Sequence, residues 1–98
     1  MLSSVAILDS NLEGWTLLDA GPDSSRAFVF KVNFERPFAT SPLVHVAIAG
    51  FDIENHDAAR LRVRAVDIHA GGFGIQVETW LSTRVWSVDV SWLAIGGT

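Results

Sequence analysis

The chain has 98 residues, 49% of them hydrophobic, with four Trp, six Phe and no Tyr. Length and composition argue for one folded globular domain spanning 1–98 and against a disordered segment. Eleven acidic residues against seven basic ones give a net charge of −4, a poor match to nucleic acid, which is bound by clustered Lys and Arg.

The opening "MLSSVAILDS" has neither a basic start nor a long apolar run, so no secretory signal is expected. No cysteine is present, which excludes disulfides, thiolate metal sites and a thiol nucleophile. Together these features suggest a cytoplasmic or non-classically released protein, unless the chain is a domain of a longer one. With a single lysine, no polybasic run and no long apolar segment, insertion into or adhesion to a membrane is not expected.

Period-two alternation dominates the chain and predicts strands. "SVAIL" opens it. "RAFVFKVNFE" places Phe28, Phe30, Val32 and Phe34 on one face and Val29, Lys31, Asn33 and Glu35 on the other. "LVHVAIAGF" aligns Val44, Val46 and Ile48. "RLRVRAVDIH" sets Arg60, Arg62 and Arg64 against Leu61, Val63 and Ala65, then shifts its apolar phase to Val66 and Ile68. That shift marks a bulge or burial on both faces. "FGIQVETW" turns Phe73, Ile75 and Val77 inward, leaving Gln76, Glu78 and Trp80 outside. "VWSVDVSWLAIG" groups Trp86, Val88, Val90 and Trp92 against Ser87, Asp89 and Ser91. The breakers "DAGPDSS", "RPFATSP", "DIENHDA", "AGG" and "LSTR" separate these runs. About six short strands without a helix predict an all-β, six-stranded antiparallel β-sandwich. A unit this small buries more apolar surface by associating with copies of itself, so an oligomer is expected.

Catalytic and metal chemistry find little support. His45, His56 and His69 match no zinc spacing, and no metal or cofactor is expected. There is no "GxSxG", and Asp52, Glu54 and Asp57 sit in a polar loop where solvated turn residues are ordinary. An enzyme is therefore not expected. The ladder Arg60, Arg62, Arg64 has two readings. It either pairs with acids such as Glu78 on a neighbouring strand, or offers a planar fork of donors to a ligand's hydroxyls or carboxylate. Trp80 also has two. It either covers a neighbouring subunit or forms a platform for the C–H face of a sugar, with a carboxylate and an Arg nearby for the hydroxyls.

The segments "FERPFATSPLVHVAIAGFD", "LRVRAVDIHAGGFGIQVETW" and "TRVWSVDVSWLAIG", in this order and spacing, resemble the H-type lectin domain family of snail agglutinins and discoidin C-terminal domains. The likeness runs from about Gly14 to Gly96. It implies a sandwich that assembles as a homotrimer, sometimes a dimer of trimers. It also implies metal-independent binding of N-acetylgalactosamine or galactose in clefts between subunits. The resemblance carries the family's site onto Arg62, Trp80 and Trp86, onto Gly21 and Asp23 of the early loop, and onto the neighbouring Arg26. Well-known members have His directly after the "TW" tryptophan, where this chain has Leu81, and commonly Tyr where it has Trp86. The first change removes a donor to the sugar and leaves Asp23 and Arg62 to discriminate at the axial O4. The second enlarges the apolar wall. The resemblance also places Trp86 at the rim of the sandwich, whereas alternation puts it in the core. Two function classes follow: a glycan-binding lectin with multivalent avidity, or a structural trimerisation or adhesion module that binds no sugar.

Overall fold

The structure, a computed structural model, describes residues 1–19, 25–54 and 58–96. Six strands follow one another: β1 (Leu2–Asp9), β2 (Ser25–Asn33), β3 (Leu43–Glu54), β4 (Arg62–His69), β5 (Gly72–Trp80) and β6 (Arg84–Ile95). They form two three-stranded antiparallel sheets with orders β1-β6-β3 and β2-β5-β4. The all-β sandwich expected from alternation is the observed architecture. It is elongated, 47 × 21 × 20 Å. Its radius of gyration of 14.4 Å exceeds the about 13 Å of a compact 100-residue domain.

The core lies between the sheets and is built from the inward residues of each strand. Ile75 and Val77 of β5 and Val88 and Val90 of β6 are fully buried, with Leu8 of β1 and Leu17 of the segment that follows it. Phe28, Phe30 and Val32 pack against them from β2, in the phase that alternation assigned. Phe34, Phe73 and Trp92 close one end, with ring centroids 5.3–6.1 Å apart in the tilted and edge-on arrangements that aromatic quadrupoles favour.

Three irregularities break the period, and each corrects or sharpens an expectation. Opposite β3, the register passes from Asp52↔Ser87 to Ile53↔Val85, so Trp86 is the extra residue of a bulge. Val85 takes the inward place and is fully buried, while Trp86 is turned out and is 46% exposed. Alternation had set Trp86 on the core face; the bulge overturns that and agrees with the rim position. A second shift, between Ile48 and Gly50, lies in β3. Ile48, also expected inward, is 42% exposed beside it. The third lies in β4, where the pairing jumps from Val66↔Gly74 to His69↔Gly72. The phase shift in "RAVDIH" is this bulge, with Asp67 at φ 51°.

Candidate functional site

The short link of residues 81–83 carries the chain from one sheet to the other, because β5 and β6 belong to different sheets. It therefore holds the end of β5 beside the start of β6. Trp80, Leu81 and Trp86 come to the same end of the sandwich, joined there by Arg62 at the start of β4 and Ser25, the cross-strand partner of Trp80.

Trp80 leaves the sheet on the outer face, in phase with Gln76 and Glu78, and is half-buried. Arg62 pairs in register with Glu78. Its guanidinium nevertheless leans diagonally along the strand onto the indole, with Cζ 5.3 Å from the ring centroid. A cation over a tryptophan face is attracted by the ring quadrupole, worth about 0.5–1 kcal/mol at an exposed site. Glu78 is taken instead by Arg64, whose Nη2 lies 2.5 Å from Oε1. The cross-strand pairing expected of the arginine ladder is thus made by one of its members. Arg64 makes the cross-strand ion pair, and Arg62 presents its donors beside an aromatic ring. Arg60 belongs to the link's support, donating its backbone N–H to Thr83 Oγ1 at 3.2 Å.

Leu81 occupies the left-handed region with φ 58°, where a branched side chain costs on the order of 1–2 kcal/mol. The surroundings hold it there. Arg26 Nη2 donates to the carbonyls of Leu81 and Thr83, both at 2.9 Å. Thr83 is fully buried and donates to the Ala58 carbonyl at 3.1 Å. Thr79, also fully buried, donates to the Arg60 carbonyl. Trp15 Nε1 donates to the Val85 carbonyl at 2.9 Å. Arg26 itself is only 8% exposed. Burial pushes its guanidinium pKa below the ordinary value, an effect that Asp19 opposes and Arg84 reinforces. Arg26, which the resemblance groups with the family's site residues, sits beneath the link as the clamp that sets the Leu81 backbone.

Gly21 and Asp23, and with them His56 and Asp57, lie outside the described residues. Among the described residues no three His, Asp or Glu side chains are grouped to hold a metal ion, and no helix is long and apolar enough to cross a membrane. Sequence reasoning missed Trp15, Thr79 and Thr83 as supports. Thr79 could have been found, since it shares the inward phase of Ile75 and Val77.

These features define a β-sandwich with a Trp–Arg pair at one end. The family model for the H-type lectin domain matches residues 29–95. The chain belongs to the H-type lectin domain family. It is 35% identical over 71 residues to the "ATP synthase subunits region ORF 7" protein of Fuscovulum blasticum, covering 72% of this chain and 62% of that one. Recombinant discoidin II of Dictyostelium discoideum superposes with a TM-score of 0.78 at 22% identity, over 97% of this chain and 36% of that one. Wild-type discoidin II from the same organism gives 0.79 at 21% identity, over 99% and 37%. At those identities the likeness speaks for the fold. The chain spans less than two thirds of the length of these relatives.

Proposed function

We propose that this chain is a carbohydrate-binding lectin and not an enzyme, taking N-acetylgalactosamine- or galactose-type sugars at its Trp80 end. The observation that carries it is the Arg62 guanidinium stacked on Trp80, at a rim where Leu81 and the outward Trp86 also emerge, in a member of a lectin family. Sugars present a C–H face to an aromatic ring and a rim of hydroxyls to charged or amide groups. Trp80 and Trp86 pack against the ring or its N-acetyl group, Arg62 donates, and Asp23 and the Gly21 backbone of a neighbouring copy complete the cleft. No metal is needed for these contacts.

Assembly as a homotrimer, with pairing of trimers as its extension, is part of the proposal. Its support is the outer face of the β1-β6-β3 sheet. There Val5, Ile7, Leu43 and Ile95 are 55%, 69%, 73% and 46% exposed, an apolar surface of the kind that marks an interface. A single site holds little surface, and linked sites raise avidity by about 10²–10⁴ when the geometry allows simultaneous engagement. A glycan array run beside light scattering on wild type and Trp80→Ala tests this. We expect a wild-type trimer that binds terminal galactose-type glycans, and a variant trimer that does not. Equal glycan binding by both would overturn the site. A variant that loses assembly instead would favour the structural adhesion module.

A further inference from the structure

Along the outer face of the β2-β5-β4 sheet, the central strand carries side chains at Gln76, Glu78 and Trp80 but none at Gly74 and Gly72. Register places Lys31 and Val66 either side of Gly74, and Asn33 and His69 either side of Gly72. Beside Gly74, where the Cγ atoms of Val29 and Val66 would stand 3.0 Å from any Cβ, this face carries a groove. It is a cavity of about 280 Å³ whose lining includes Val29, Lys31, Asn33, Asp67, His69 and Gly74. Gly74 lies about 20 Å along β5 from Trp80 at the ordinary strand rise, so this groove is separate from the site above.

A second, independent feature points at the same place. The β4 bulge sets Asp67 and Ile68 opposite a single residue of β5 and holds Asp67 at φ 51°. Glycine is the residue that such a left-handed bulge position accepts without cost. An aspartate kept there brings a carboxylate to the groove at a local conformational cost, and strained positions gather where ligands are held. Among the described residues Asp67, Lys31 and Asn33 have no side-chain hydrogen bond or ion pair. His69 accepts the Gly71 N–H at Nδ1, 3.1 Å, which leaves Nε2 as the donor of its neutral form.

We infer that this groove is a second carbohydrate subsite, taking one neutral sugar residue. The formal charges of Lys31 and Asp67 cancel, so a lone anion meets Asp67 and a lone cation meets Lys31. A neutral polyol needs both an acceptor and several donors. Asp67 accepts from its hydroxyls, Lys31, Asn33 and His69 donate to them, and Val29 receives a C–H patch. The volume falls just under the roughly 300–1,000 Å³ of pockets for drug-sized ligands, which suits one pyranose ring. Each chain would then carry a sugar site near either end of its long axis.

Titration of the ¹⁵N-labelled protein with the methyl glycosides of galactose, glucose and mannose, followed by amide shifts, tests this. Inorganic phosphate and glycine serve as the charged comparisons. We expect millimolar, saturable shifts at Lys31, Asn33, Asp67, His69 and Gly74 with at least one glycoside. Asp67→Gly should weaken that response at least tenfold while leaving the melting temperature unchanged or higher. Lys31→Ala should weaken it several-fold, and Trp80→Ala should leave it intact while erasing shifts near Leu81. Glycoside-induced shifts confined to the Trp80 end, or a response untouched by both Asp67→Gly and Lys31→Ala, would overturn the subsite. Saturation by phosphate or glycine alone would overturn the ligand class.

Discussion

Arg26 offers the sharpest test of how the Trp80 end is held. In Arg26→Met the aliphatic stem keeps its packing, but the carbonyls of Leu81 and Thr83 lose donors at 2.9 Å. A buried acceptor left unpaired costs about 1–3 kcal/mol. Two give roughly 2–6 kcal/mol if neither finds water. Against this stands the relief of a desolvated guanidinium that is 8% exposed, and whose Nε and Nη1 have no hydrogen-bond partner among the described residues. Replacing a buried charge by an apolar side chain can recover a good part of such a loss. The net expectation is a destabilisation of about 2–3 kcal/mol, or roughly 10–20 °C in melting temperature for a chain of this size. The guanidinium stays protonated across the working pH range despite its lowered pKa, so the difference should not change between pH 5 and 9. Urea unfolding of both proteins at one fixed concentration measures it, and amide exchange over residues 81–83 should accelerate in the variant. A variant as stable as wild type, with the link still protected, would refute the clamp and show that desolvation outweighs the two hydrogen bonds.

Leu81→His restores the residue that well-known family members carry after the tryptophan. Histidine tolerates the left-handed region better than leucine, so folding should be unchanged while affinity for galactose-type glycans rises several-fold on an array. Equal affinity would show that position 81 does not reach the sugar. Gly72→Ala should destabilise by about 1–3 kcal/mol in thermal unfolding. Its Cβ would stand 2.2 Å from the Val32 carbonyl oxygen and 3.3 Å from the Asn33 Cα, and backbone on both counts must give way.

Much of the fold could be read directly, because a half-buried strand writes its two faces into alternate residues. Phe28, Phe30 and Val32, or Ile75 and Val77, stand where the pattern puts them. Arg26 and Thr79 were also legible in principle. Each occupies an inward phase, and a polar residue in a core row has to find a partner there. Trp15 and Leu17 were not, since they lie in an irregular segment with no period to place them. The groove at Lys31 and Asn33 could not be seen either. It depends on the register that sets β2 and the β4 bulge on either side of Gly74, and a single sequence does not state register.

Trp86 shows why the failures of the pattern matter more than its successes. Alternation in "TRVWSVDV" makes Trp86 the inward residue, in phase with Val88 and Val90, and no breaker in the run marks where that phase fails. The extra residue opposite β3 decides otherwise, burying Val85 and turning out the tryptophan. In β4 the same device brings Asp67 to a groove, and there the broken phase of "RAVDIH" does betray it. A regular strand can present only what its alternation allows. A bulge at either place lets a sandwich of two three-stranded sheets put a chosen side chain outside without disturbing the rows that form its core. Breaks in period are thus where a protein of this architecture turns unexpected side chains outward, and the break at Asp67, unlike that at Trp86, could have been found from the sequence alone.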